Sequence, residues 1–289
     1  MKKIGQFFFA FIPFLLIVAI QLVVTAFSVG VSALIEYTWY ASSKTASFGE
    51  IFDDLNQLWT SQNFNTHIMI LYALATIALF GLWYYARYGG SYLPIARSTY
   101  HPLSLLGIVM LMVGMQYLST YIVNFTANLF PHWLNVYEDL LETAGLNEHI
   151  SIAMLVYSVL LAPFCEELAF RGITMRQAQK CLPFWAANLM QAALFGAFHM
   201  NMIQGVYAFF LGLILGYVAQ KSNSIHSAIV LHLLFNFWGT VLSAFFYIEN
   251  TVFSFLFWFF FGIAMTVGGL LIFQTGVRRA EQCALPDNG

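Results

Sequence analysis

Two adjacent acids, Glu166 and Glu167, lie inside the apolar run Ala162-Pro163-Phe164-Cys165-Glu166-Glu167-Leu168-Ala169-Phe170-Arg171. A carboxylate in hydrocarbon is costly, so acids there are rare and usually functional. Neighbouring residues of a helix point about 100° apart, which gives the two acids separate jobs. Glu167 and Arg171 are four residues apart and meet on one helix face, a pairing that neutralises Glu167. Glu166 has no sequence-local cation, so burial can poise it as a base. The bland alternative is that both acids pair and only hold helices together.

His199 ends the next apolar segment, in Phe195-Gly196-Ala197-Phe198-His199. Cys181-Leu182-Pro183 reads as the turn between the two segments, with Glu166 16 residues before Leu182 and His199 17 after it. In an antiparallel hairpin rising roughly 1.5 Å per residue, those side chains reach nearly the same depth. A carboxylate and an imidazole at one level can share a water, as general base catalysis needs. A histidine at a span end can also be an ordinary interfacial residue. Further along, His232 and Asn236 share a helix face in Leu231-His232-Leu233-Leu234-Phe235-Asn236. Together they can donate two hydrogen bonds to one oxygen, as in an oxyanion hole; the alternative is interhelical hydrogen bonding.

The remaining signals carry little chemistry. His67, His101, His132, His149 and His226 fall at span ends or in loops and read as interface residues. Cys165, Cys181 and Cys283 have no metal-type spacing and read as free thiols. Gly212-xxx-Gly216 is a packing motif. Asn188 and Gln191 can line a cavity or bond a neighbouring helix. There is no His-Glu-x-x-His zinc signature, no Gly-x-Ser-x-Gly elbow, no phosphate-binding glycine loop and no basic nucleic-acid patch. All Asp residues lie outside the apolar segments, which excludes an intramembrane aspartyl dyad.

The elements that hold these residues are membrane helices. The 289 residues are 60% hydrophobic and 8% charged, with a mean hydropathy of +0.75, where a soluble domain carries about 25% charge. The pattern predicts an all-α integral membrane bundle of about eight spans, near 7–35, 67–86, 103–125, 151–172, 184–202, 204–220, 225–247 and 252–274. The first follows Lys2 and Lys3; it is too long for a signal-peptide core and reads as a retained span. The polar stretch 37–66 reads as an outer loop, and 131–149 as an interfacial amphipathic helix. All Lys and Arg residues except Lys44 then fall on one side, Arg171 and Arg176 among them, and most acids on the other. The positive-inside rule makes the first side cytoplasmic and places both termini there.

Glu-Glu-x-x-x-Arg (166–171), Phe-x-x-x-His (195–199) and His-x-x-x-Asn (232–236) resemble, in order and on separate helices, the motif set of the CAAX protease and bacteriocin-processing family, also called Abi. The resemblance covers roughly residues 150–240. It implies an intramembrane endopeptidase in which Glu166 and His199 activate water, His232 and Asn236 hold the oxyanion, and Glu167 and Arg171 support them. Glu and two His also suit zinc, but a metal-free, glutamate-type mechanism is favoured, with no cofactor. The expected partners are membrane lipid and a membrane-associated peptide or protein, and no nucleic acid. The lysine pair and lack of long loops look prokaryotic, which points to a bacterial cytoplasmic membrane. The expected division is a variable region 1–150, a catalytic core 151–247, and a last span with tail 248–289. The rivals are a catalytically silent bacteriocin-immunity or scaffold protein and a proton-coupled carrier. A carrier would be expected to show inverted repeats, and none is found.

Overall fold

A computed structural model of the chain describes residues 2–43, 47–92, 98–143, 150–242 and 251–283. Its described residues form helices, turns and bends and no strand. In chain order the α-helices are α1 (Lys2–Phe9), α2 (Ile12–Ser43), α3 (Phe48–Thr60), α4 (Gln62–Tyr92), α5 (Pro102–Leu129), α6 (Pro131–Thr143), α7 (Ile152–Val156), α8 (Ala162–Glu167), α9 (Arg176–Ala178), α10 (Phe184–Phe198), α11 (Met202–Ser222), α12 (Ile225–Phe237) and α13 (Val252–Gln282). π-helical turns at Tyr157–Leu161 and Leu168–Met175 join α7, α8 and α9 into one continuous rod, and another, Trp238–Leu242, extends α12.

Seven of these helical runs are long and apolar enough to cross a bilayer, among them Ile152–Ala178, Met202–Ser222 and Ile225–Leu242. The chain is an integral membrane protein with an all-α bundle. The expected span 184–202 is shorter than predicted: α10 has 15 residues, about 22 Å at 1.5 Å per residue, against a hydrocarbon core of about 30 Å. The described residues thus hold seven candidate spans rather than the expected eight, with α10 a shorter apolar helix. Helix α10 ends where His199 caps it, and Met200 adopts a left-handed conformation with φ 52°. The Asn201 side chain then accepts from the Gln204 N–H to start α11. The chain thus reverses within three residues of His199, at the end of a helix too short to reach across.

The stretch 37–66 is not a loop. Helix α2 runs on to Ser43, and α3 follows. Ser47 accepts from the Glu50 N–H while the Glu50 carboxylate accepts from the Ser47 N–H, a reciprocal capping box. Trp59 Nε1 donates to Ser32 Oγ at 2.9 Å and ties α3 back to α2. Over 131–143 the amphipathic reading holds: α6 exposes Glu138, Asp139 and Glu142 and turns Trp133, Val136, Tyr137 and Leu141 inward. Residues 144–149 of that prediction, His149 included, lie outside the described residues, as does Lys44.

Helix α5 packs along α13 at glycine-limited distance. A Cβ on Gly107 would sit 2.5 Å from the backbone nitrogen of Phe273, whereas one on Gly30 of α2 would meet nothing within 4 Å. Overpacking costs about 1–3 kcal/mol, while an alanine in open helix costs nothing. Gly107→Ala is therefore expected to lower the thermal midpoint of the purified protein and Gly30→Ala to leave it unchanged or raise it. Equal midpoints for the two variants would refute this account of the α5–α13 seam.

Helices α2 and α4, outside 151–247, are built into the core of that region. Ile17, Ile20, Tyr72, Phe80 and Tyr84 of α2 and α4 pack with Cys165, Phe170, Ile173 and Phe195 in one buried cluster. Gly212 and Gly216 bring α11 against α10 at Ala192 and Asn188. The open choice for Asn188 and Gln191 resolves toward helix bonding: Asn188 Nδ2 donates to Leu213 O at 3.0 Å and Gln191 Nε2 to Gly212 O at 2.9 Å.

Candidate active site

Pro163 shapes the first wall of the site. The Ala162 N–H bonds the Tyr157 carbonyl five residues back, and Pro163, next in that π pattern, has no N–H to offer. The Ser158 carbonyl accepts instead from Asn236 Nδ2 at 2.9 Å. This contact docks α12 onto the rod. One of the two amide hydrogens of Asn236 is thereby committed to the backbone, and the other is left for the site.

On α8 the adjacent acids diverge as helix geometry requires. Glu167 is fully buried; its Oε1 accepts from Arg171 Nη1 at 2.6 Å and from His232 Nδ1 at 2.9 Å. The predicted Glu167–Arg171 pair is present, and Glu167 also orients a histidine, which its spacing to Arg171 did not reveal. Arg171 is fully buried as well. It is not a loop charge on one side of the membrane, as the charge segregation assumed: Nη2 donates to Gly212 O at 3.3 Å and the guanidinium lies 4.3 Å over the Phe195 ring. Glu166 faces elsewhere. Its side chain is 10% exposed, and Oε2 lies 3.7 Å from His232 Nε2.

The two histidines are fixed by their outward-facing nitrogens. His199 Nδ1 lies 2.8 Å from the Phe195 carbonyl. A carbonyl only accepts, so Nδ1 carries the proton and Nε2 of the neutral ring keeps a lone pair. His232 Nδ1 faces the Glu167 carboxylate, which directs Nε2 toward Glu166. Phe195 sits between them, edge-on to His199 at 4.9 Å and to His232 at 5.8 Å. The phenylalanine of Phe-x-x-x-His thus places one histidine with its carbonyl and packs both with its ring.

A cavity of about 330 Å³ is lined by Glu166, His199, His232 and Asn236 together. Glu167 and Arg171 stand behind it. Sequence reasoning missed much of its wall: Gln21 from α2, Met69 and Tyr72 from α4, and Tyr137, Leu140 and Leu141 from α6. The inward face of α6 was the one available signal. The Tyr137 phenol is hydrogen-bonded to Tyr207, and burial pushes it above its ordinary pKa. Cys165 donates weakly to Ala162 O, and His101 caps α5, so neither contributes to the cavity.

Residues 148–238 match the family model described as type II CAAX prenyl endopeptidase Rce1-like. The Rce1-like region is about a third of the chain and contains all three motifs. The resemblance carried by those motifs is upheld, and the family is one of proteases. No curated protein and no solved structure matches the chain. A zinc site needs three or four ligands converging on one point. Among the described residues no group of three His, Cys, Asp or Glu side chains is placed to hold a metal ion.

Proposed function

We propose that the protein is an intramembrane endopeptidase that cleaves a membrane-associated peptide or protein, with water as the nucleophile. One observation carries the reading: Glu166, His199, His232 and Asn236 line a single cavity, and the Glu167–Arg171 pair anchors His232 from behind. Glu167⁻ and Arg171⁺ balance each other. A protonated His232 then requires Glu166 to be ionised, because a net charge in a dry cluster is unfavourable. That pairing supplies both halves of the chemistry. Glu166, with the Nε2 lone pair of His199, takes the water proton as the water attacks the carbonyl carbon. His232 Nε2–H and the free amide hydrogen of Asn236 stabilise the oxygen on which charge develops. The proton then passes to the leaving amine as the peptide bond breaks.

The substrate class follows from access. The cavity lies within the bundle, so a chain held at the membrane surface, by a lipid anchor or by an apolar segment, is delivered at the right depth. The test uses purified protein in proteoliposomes and a peptide ending in a CAAX sequence, offered farnesylated and unfarnesylated. Cleavage of either form, lost in Glu166→Gln, supports the peptidase reading; preference for the first assigns a prenyl anchor. No hydrolysis of these or of a membrane-anchored peptide library would favour the immunity or scaffold role.

Removing Asn236 separates two roles. Loss of one oxyanion donor lowers turnover by roughly 10²–10³-fold, whereas loss of the Ser158 cap costs about 1 kcal/mol of stability. Asn236→Ala is expected to show both effects, with KM nearly unchanged. A stability loss with unaltered kcat would confine Asn236 to docking α12.

The mechanism routes no step through a metal. Turnover is expected to survive exhaustive chelation, and elemental analysis of the purified protein is expected to find less than stoichiometric zinc. Activity lost with one equivalent of zinc and regained on its return would overturn this and turn His232 Nε2 and Glu166 into ligands.

A further inference from the structure

A second cavity, of about 330 Å³, opens at the ends of two spans, where Ile152–Ala178 and Met202–Ser222 leave the membrane. Its lining includes Arg171, Arg176, Lys180, Gln179, Gln220 and Asn223, and no carboxylate. Arg176 and Lys180 face one space with no acid among its described wall residues, and the third cation, Arg171, is balanced by Glu167. The space is ample for a phosphate group with part of its hydration.

The walls are built rather than incidental. Arg176 stacks on Tyr84 and Tyr88, 5.4 and 5.3 Å from the ring centroids, which fixes its guanidinium. Gln179 Nε2 donates to Gln220 Oε1 at 2.6 Å and closes one side. The α11 carbonyl of Ala219, which would oppose an anion, accepts from the Ser224 N–H. Lys180 is held below its ordinary pKa by burial first and by the Arg87 charge second. Arg171 lines the sealed base, where Glu167 balances its charge. Its Nη1 and Nη2 are committed to Glu167 and Gly212, and among the described residues its Nε has no hydrogen-bond partner.

We propose that this cavity binds a phosphate-class anion through Arg176 and Lys180. The position at the span ends, where headgroup phosphates lie, and the lack of any acid among the described wall residues select this chemistry. The site stands apart from the peptidase reading and does not depend on it.

The experiment uses the full chain in neutral detergent. Inorganic phosphate, short-chain phosphatidylglycerol and short-chain phosphatidylcholine are titrated separately, with thermal shift and native mass spectrometry as readouts. Saturable stabilisation by phosphate, or by phosphatidylglycerol over phosphatidylcholine, is expected; the first assigns a free anion and the second a lipid headgroup. Lys180→Gln and Arg176→Gln are each expected to weaken binding about 5-fold, from roughly 1 kcal/mol per cation at a membrane surface. Lys180 lies on the exposed rim, so its variant serves even if Arg176→Gln fails to fold. Equal response to all three titrants, no response to any, or affinity unchanged in Lys180→Gln would overturn the proposal.

Discussion

Glu166→Gln is expected to lose roughly 10²–10⁴-fold in turnover, the contribution of a positioned general base, while stability changes by less than about 1 kcal/mol. The two outcomes follow from one placement. The Glu166 carboxylate lines the cavity, its nearest ionisable partner, His232 Nε2, is 3.7 Å away, and it forms no side-chain hydrogen bond among the described residues. The amide keeps the shape and removes only the proton acceptor. It also removes the negative charge that allows His232 to hold a proton at Nε2, so base and oxyanion donor fail together. Most of the loss should therefore appear in kcat rather than KM. Comparable cleavage by wild type and Glu166→Gln would end the glutamate mechanism, whatever the melting curves showed.

The legible part of this site was the part carried by local spacing. Residues four apart on a helix meet, so Glu167 with Arg171 and His232 with Asn236 could be paired before any coordinates. Hairpin depth brought Glu166 and His199 to one level, and both line the cavity. What spacing cannot show is which partner in a distant helix takes a given atom. Asn236 spends one hydrogen on Ser158 because Pro163 orphans that carbonyl, 78 residues away in the chain. Glu167 reaches His232 across 65 residues. The cavity walls from α2, α4 and α6 were hidden for a related reason: lipid-facing and cavity-facing apolar residues look alike in a sequence. The short α10 was read as a full span because Met200 and Met202 continue its apolar composition, and hydropathy does not record the left-handed turn at Met200. Positive-inside counting likewise treated Arg171 as a surface charge, since the rule counts residues and not burial.

Glu167→Gln is expected to cost about 3–5 kcal/mol, because it leaves the fully buried Arg171 guanidinium without a counter-charge. Turnover should fall as well, for a reason unrelated to folding: His232 loses the carboxylate that orients Nδ1 and supports its protonated form. One variant cannot separate these effects, but the pair can. Replacing both buried charges with apolar or neutral groups of similar volume is often neutral for stability, so Glu167→Gln with Arg171→Met should regain most of the lost thermal midpoint. Catalysis should not return with it, since the amide of residue 167 offers His232 an acceptor but no charge. The double variant is expected to melt near wild type and still turn over at a small fraction of its rate, with a pH profile altered from that of wild type. Recovery of both stability and full activity would mean that Glu167 serves only to hold Arg171, and that His232 needs no carboxylate behind it.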